Sequence, residues 1–210
     1  MALIQPKRLL ALRESKKMAQ RRTTLTISLL VILLALVAGG TSAYFTFSSR
    51  AHNIITTSGI AIELIEDTDR TGVDGRAIPF TNIEGALPGD VISKIPKVKN
   101  VDDGAVYVRI SAQASAKIAS GEQRAVDLEL FELDINTTAW TLKDGFYYYK
   151  QKLNAGETTE PLFTTVTLSR KINDAFQDAT FALEINASAV QAANNGTDVF
   201  TAQGWPEEQE

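Results

Sequence analysis

Cysteine is absent from this chain of 210 residues, and histidine occurs only once, at His52. Without cysteine no disulfide can stabilise the fold, and no thiolate can bind zinc or act as a nucleophile. One histidine also excludes the H-E-x-x-H zinc site, which needs two histidines on one helical face. A Ser-His-Asp triad would have to use His52, but the polar stretch SSRAHN has no accompanying G-x-S-x-G motif. The composition therefore predicts that the protein is not an enzyme and has no catalytic residue.

A long apolar run is lacking as well, and the most apolar segment resembles an export signal. Residues 1–24 form a basic n-region, residues 25–38 an apolar h-region, and a Gly-Gly pair follows. Thr41 and Ala43 are small residues three and one positions before Tyr44, as signal peptidases require. We therefore predict a signal peptide over residues 1–43, cleaved after Ala43. The alternative is an uncleaved anchor, although fourteen residues span only ~21 Å of a ~30 Å hydrocarbon core.

Charge divides sharply between the two parts of the chain. Residues 1–43 carry seven basic side chains and one acidic side chain, a net charge of +6, so the chain's total of −4 leaves −10 on residues 44–210. Nucleic-acid binding needs clustered Lys and Arg to neutralise phosphates. We therefore expect no nucleic-acid partner, and contact with the membrane only through the signal segment before cleavage.

Alternation of apolar and polar residues dominates the region after the signal. Residues 60–64, 106–110, 126–130 and 181–185 alternate with period two, which is typical of half-buried antiparallel strands. Residues 91–101, 146–150 and 162–168 are further strand candidates, and Asp-Gly, Pro-Gly and Asn-Gly turn signals separate them. The Ala-rich residues 112–124 favour a short helical insertion. We predict an all-β, jelly-roll-like antiparallel β-sandwich over residues 59–210, preceded by the hydrophobic signal helix.

An acidic run at residues 66–75 is the strongest candidate for metal binding. Aligned as a calcium loop from Asp67, it offers oxygens at Asp67 and Asp69, a glycine at position six, and Asp74 as a further carboxylate. Ile78 stands where the bidentate glutamate of such a loop is needed. We interpret the run as a solvated acidic loop between strands, with a weak calcium site as the alternative and no other cofactor.

The segment directly after the cleavage site forms a candidate assembly strand over residues 44–58. Within Tyr44-Phe45-Thr46-Phe47-Ser48, the two phenylalanines alternate with Thr46 and Ser48, so they share one face of a strand. A short aromatic segment without proline can pair with an exposed sheet edge of another copy. It can equally pair as an edge strand within its own domain, because both arrangements satisfy the same backbone groups.

Five segments carry a resemblance to a known family. They are, in chain order, AGGTSA-YFTF at the cleavage site, TTSGIAIEL, ALPGD, KVKNVDDGAVYVRI and DGFYYYKQKLNAGETTEPLF. Together they resemble the TasA/camelysin family of exported Gram-positive proteins, whose signal sequence is processed by a SipW-type signal peptidase. The resemblance extends over the signal region and nearly all of the chain after it.

The resemblance implies a fold, a location and a function. Family members are jelly-roll β-sandwiches that are secreted to the matrix or the cell surface, and the better-known ones are subunits of biofilm-matrix fibres that grow by N-terminal donor-strand exchange. The matching donor segment here is residues 44 to about 55. The expected partners are further copies of this chain and the SipW-type peptidase. The alternatives are a camelysin-like surface metallo-endopeptidase, for which a single histidine leaves no recognisable zinc site, and a monomeric surface adhesin or pilus-associated module.

Overall fold

The computed structural model describes residues 45–53, 60–118, 120–172, 176 and 179–206; in the first strand only the side chain of Phe47 is described. The predicted signal helix and the cleavage residues Thr41, Ala43 and Tyr44 lie outside these residues. The described residues all belong to one compact unit. Its strands are β1 (Phe45–Asn53), β2 (Ile62–Thr71), β3 (Ala77–Pro79), β4 (Ile83–Ala86), β5 (Val91–Ser93), β6 (Ile95–Asn100), β7 (Val106–Lys117), β8 (Gln123–Ala125), β9 (Phe131–Leu133), β10 (Trp140–Lys143), β11 (Phe146–Tyr149), β12 (Thr165–Leu168) and β13 (Thr180–Gln191).

The fold is an all-β sandwich, as the alternation predicts. A seven-stranded sheet has the order β10-β11-β7-β13-β1-β4, with β8 paired to the far end of β7. Two three-stranded sheets, β5-β12-β9 and β3-β2-β6, supply the opposing apolar side chains, and one continuous core joins all three sheets. Across the described residues, no helix is long and apolar enough to cross a membrane.

The two longest strands, β7 and β13, form the centre of the large sheet. They pair antiparallel along their full twelve-residue lengths, from Thr180 opposite Lys117 to Gln191 opposite Val106. Phe181, Leu183 and Ile185 alternate inward and are fully buried, which confirms the predicted strand. The first half of β7 is buried on both faces instead of one, because a second apolar cluster covers its outer face.

The predicted helical insertion over residues 112–124 is wrong. This stretch is the second half of β7, a tight turn at Gly121 with a φ of +88°, and β8. Ala114 and Ala116 are buried while Gln113 and Lys117 are exposed, which is a strand pattern. Alanine's helix propensity amounts to a few tenths of a kcal/mol per residue, so pairing along β13 outweighs it.

Two further strand predictions need correction. Residues 126–130 form a 3-10 turn at Leu128–Leu130, because the Asp127 carboxylate accepts a hydrogen bond from the Glu129 N–H at 2.9 Å and caps the turn. The predicted strand at 91–101 is two strands, β5 and β6, interrupted at Lys94. Lys94 thus marks the place where the chain passes from one small sheet to the other.

Asp134 ties β9 to β12. One of its carboxylate oxygens accepts hydrogen bonds from the N–H groups of Thr164 and Thr165 at 2.8 and 2.7 Å, and the Thr164 hydroxyl donates to the other. Burial alone would raise the pKa of the Asp134 carboxyl, but these hydrogen bonds outweigh burial and lower the pKa below its usual value. The ionised carboxylate therefore stabilises the folded chain.

Replacing Asp134 by Asn should destabilise the protein in a pH-dependent way. A lowered folded pKa gives stability that is present above the unfolded pKa of about 3.9 and is lost as pH falls through the folded pKa. The variant should lose about 1 kcal/mol at pH 7, and the difference from wild type should shrink towards pH 2. Urea unfolding at both pH values measures it, with the exposed Glu132→Gln on β9 as a control. A difference that is equal at both pH values would contradict this role.

Candidate functional site: the slot filled by the first strand

The candidate assembly strand fills a slot inside the large sheet. We use "slot" for the space between residues 180–187 of β13 and β4 (Ile83–Ala86). On one side β1 pairs with β13, and on the other side it pairs with β4 through Phe45 opposite Ala86 and Phe47 opposite Ile83. Among the described strands, β1 is the only partner of β4 in this sheet. Removing β1 would therefore expose one edge of β13 and detach β4 from the sheet.

The pairing of β1 with β13 is parallel, an exception to the predicted antiparallel arrangement. Eight consecutive positions are in register, from Thr46 opposite Thr180 to Asn53 opposite Ala187. The first and last of the described strands are thus neighbours with no direct connection between them. Because a parallel pair cannot be closed by a tight hairpin, the position of β1 does not depend on a turn that joins it to β13.

Phe47 anchors β1 in the core. Its side chain is fully buried, and its ring centroid lies 5.9 Å from that of Phe80 and 5.9 Å from that of Phe131. The rings of Phe131 and Phe181 are in turn 5.7 Å apart and nearly perpendicular. The contacts of Phe47 with Phe80 and of Phe131 with Phe181 are edge-to-face, and each such contact adds about 0.5–1.5 kcal/mol to the gain from burial. Both sheet layers therefore contribute to an aromatic pocket that receives one side chain of β1.

A buried ion pair lies next to this pocket. Lys94 is fully buried, its ammonium group donates a hydrogen bond to the Glu66 carboxylate, and it lies 4.6 Å from the centroid of the Phe80 ring. Burial lowers the pKa of Lys94, while the charge and hydrogen bond of Glu66 act in the opposite direction. Phe80 is therefore in contact with both the Lys94 ammonium group and the Phe47 ring.

The predicted assembly residues are only partly described. The backbones of Phe45, Thr46, Phe47 and Ser48 lie in the slot, and the buried Phe47 ring fills the pocket. The Phe45 side chain and the whole of Tyr44 lie outside the described residues. The structure therefore places the segment as a strand within its own domain, which is one of the two arrangements that the sequence left open.

The acidic run at residues 66–75 forms the end of β2 and most of the turn that follows it. Asp67 and Asp69 lie within β2, where the Asp67 carboxylate is 2.8 Å from the Lys97 ammonium group. Asp74 lies in the turn after β2 and accepts a hydrogen bond from the N–H of Arg76 at 3.1 Å. No group of three or more His, Cys, Asp or Glu residues in the described part of the chain could hold a metal ion. The structure does not gather these three carboxylates into a calcium site.

Asn136, Asn186 and Asn195 each begin an Asn-x-Thr/Ser sequence, and the amides of Asn136 and Asn195 are engaged in hydrogen bonds. The Asn195 amide group donates to the carbonyls of Gln191 and Gln203, and its oxygen accepts from the Gln203 N–H. Asn136 donates to Glu160 and accepts from the N–H of Ala139. These amides hold local turns. The side chain of His52 lies outside the described residues, and its backbone is paired with Asn186.

Sequence reasoning missed a second cluster on the outer face of β7. The Arg109 guanidinium lies 3.7 Å from the centroid of the Phe146 ring and 4.8 Å from that of Trp205, and it donates to the carbonyl of Pro206 at 2.7 Å. It also donates to the hydroxyl of Ser188 at 3.1 Å. The available signal was an arginine within the otherwise apolar run VYVRI that begins β7. This cluster fixes residues 192–206 over the sheet and so buries both faces of β7.

Comparison with family models, with curated proteins and with solved structures finds no match for this chain.

Replacing Phe47 by Ala should destabilise the domain by about 3–5 kcal/mol, since a fully buried aromatic side chain leaves a cavity that both layers line. Phe200 offers a matched control, because it is 40% exposed and contacts one ring, that of Tyr148. Phe200→Ala should cost about 1 kcal/mol or less. Urea unfolding of both variants measures the difference. Equal losses would show that Phe47 does not close the core.

Proposed function

We propose that this protein is a secreted structural subunit of an extracellular fibre, and that β1 of one copy enters the slot of the next copy. The observation that carries the proposal is that the candidate assembly strand occupies an interior place in the sheet. It is paired on both sides and contributes Phe47 to the core. A strand in that place is needed by the domain, whichever chain supplies it.

The same contacts are available within one chain and between chains. A strand supplied by a neighbour makes main-chain hydrogen bonds that contribute ~0.5–1.5 kcal/mol net each, and it buries Phe47, a gain of ~1.5–3 kcal/mol. Because the two arrangements share these contacts, concentration and the ordering of the connecting residues 54–59 decide between them. Exchange of identical elements is a low-cost route to association.

The geometry of such an exchange favours filaments. The donor is the first strand and the acceptor edges belong to β13 and β4, so donor and acceptor are different surfaces of the same subunit. A head-to-tail contact of this kind does not close on itself unless a rotation happens to form a ring, and it otherwise repeats without limit. The resemblance to the TasA/camelysin family supports the same proposal, including export and processing by a SipW-type peptidase.

A cysteine trap distinguishes exchange from self-pairing, because the natural chain has no cysteine. Ser48 and Ala182 are paired positions of β1 and β13. Neighbouring strands lie 4.7–4.9 Å apart, within the Cα separation that a disulfide spans. Ser48→Cys with Ala182→Cys in the exported protein, oxidised after assembly, should give a ladder of covalent multimers on a non-reducing gel. Oxidation of dilute, unassembled protein should give a monomer that no longer forms filaments until it is reduced.

The matched control keeps the same acceptor cysteine. Ser115 on β7 is paired with Ala182 on the other side of β13, and both belong to one subunit in either arrangement. Ser115→Cys with Ala182→Cys should therefore give a monomer band before and after assembly. If the Ser48 and Ala182 pair also gives only monomer in preparations that contain filaments, exchange of β1 between copies is wrong.

Processing is the second test of the proposal, because only cleavage would free β1 at its N-terminal end. Mass spectrometry of the exported protein should find Tyr44 as the first residue. Ala43→Phe should leave the precursor attached to the membrane, since small residues are required at this position. Ala38→Phe, within the apolar segment, serves as a control and should be processed normally. Exported protein that begins at Met1 would contradict the proposal.

A further inference from the structure

The two strands that meet in the slot each carry a single formally charged residue when histidine is neutral. In β1, FTFSSRAHN, the charged residue is Arg50, and in β13, TFALEINASAVQ, it is Glu184. The register of the parallel ladder places Arg50 opposite Glu184. Opposite charges at facing positions of neighbouring strands attract, and like charges at such positions repel. The register thus places the one formally charged residue of each strand at facing positions.

Main-chain pairing alone does not select this register. A slip by two residues preserves both the hydrogen-bonding pattern and the set of residues that faces the core, because side chains alternate with period two. One slip would bring Phe45 opposite Phe181, where Phe47 now stands, and would keep an aromatic residue at the pocket. In that register Ser48 would stand opposite Glu184, and Arg50 opposite Asn186. The facing of Arg50 and Glu184 therefore distinguishes this register from one that main-chain hydrogen bonding would accept equally well.

Charge also acts earlier than packing. The aromatic pocket discriminates only once a ring is buried, whereas charges attract over a Debye length of about 10 Å at 0.1 M salt. Glu184 is half-buried and lines an open cleft on the outer face of the sheet, together with Gln113, Ser115 and Arg124. A carboxylate that borders an open cleft can attract an arriving strand before that strand is paired.

We infer that Arg50 and Glu184 select the register in which β1 of one subunit enters the slot of the next. The inference rests on the proposed function, since it assigns the pair to two different copies. It makes the pair a specificity determinant of assembly, with Arg50 on the donor strand and Glu184 on the acceptor strand. A foreign strand without a cation three residues after the aromatic residue that enters the pocket would then be a poorer donor.

Charge exchange between two variants tests the inference with the exported full-length gene product. Arg50→Glu alone and Glu184→Arg alone each place like charges opposite one another, and each should raise the critical concentration for filament formation about tenfold at low salt. An equimolar mixture should assemble at nearly the wild-type concentration, because each variant's donor then fits the other's acceptor. The double variant should also assemble like wild type. At 1 M salt the differences should largely disappear, since the Debye length falls to about 3 Å.

Lys143→Glu is the control for net charge. Lys143 is exposed and lies in β10, which β11, β7 and β13 separate from β1 in the large sheet. This variant should assemble like wild type and should not rescue Glu184→Arg in a mixture. If a charge reversal impairs folding, as judged by circular dichroism, the neutral variants Arg50→Gln and Glu184→Gln replace it. Each should raise the critical concentration about threefold at low salt.

The outcomes separate the two claims. One outcome is that wild type forms filaments and both single variants assemble unchanged. This outcome would overturn the register inference and leave strand exchange intact. Rescue in the double variant without rescue in the mixture would place the pair within one subunit, which overturns the inference and contradicts exchange. Wild-type protein that forms no filament at any concentration would contradict the proposed function and, with it, the inference.

Discussion

Insertion of β1 between β13 and β4 is the constraint on which the rest of the structure depends. β1 supplies the only partner of β4 in the large sheet among the described strands, and it covers eight positions of β13 that would otherwise form an open edge. It also delivers the Phe47 ring to an aromatic pocket that draws on both layers. An open edge of that length would invite pairing with other chains. The domain is therefore complete only when a strand of this kind lies in the slot.

The contacts that β1 makes in the large sheet do not depend on its connection to the next strand of the chain. Its neighbour β13 is the last of the described strands, the pairing is parallel, and no turn joins the two. The chain continues from β1 through residues 54–59 to β2, which belongs to a different sheet. Main-chain pairing and the burial of Phe47 would be the same whichever chain provides the strand. The contacts of β1 are therefore compatible with the proposed growth of a fibre by strand exchange.

Where local pattern and long-range pairing agree, the sequence was sufficient to predict the structure. The alternation around Val106 and Phe181 predicted β7 and β13, and the shared face of Phe45 and Phe47 predicted a strand with an apolar anchor. The helix prediction for residues 112–124 failed because alanine has a high helix propensity, and no local feature of the sequence indicates the partner strand that outweighs this propensity. The burial of Lys94 could not be predicted, since it depends on Glu66 and Phe80, which lie far from it in sequence.

The candidate site divides in the same way. Phe47 could be found from the sequence, because an aromatic residue in an alternating segment is visible locally. The parallel register that places Arg50 opposite Glu184 could not be found, since it relates the first strand to the last. The role of Arg109 was likewise hidden, because its partners Trp205 and Pro206 lie almost a hundred positions further along the chain.

The most direct test of the central claim is a structure of the filament formed by the exported protein, at a resolution that traces the chain from Asn53 to Ile60. The account predicts that the strand in each slot continues into β2 of the neighbouring subunit, with Phe47 in the pocket beside Phe80 and Phe131. A filament in which the strand in each slot continues into β2 of the same subunit would contradict it.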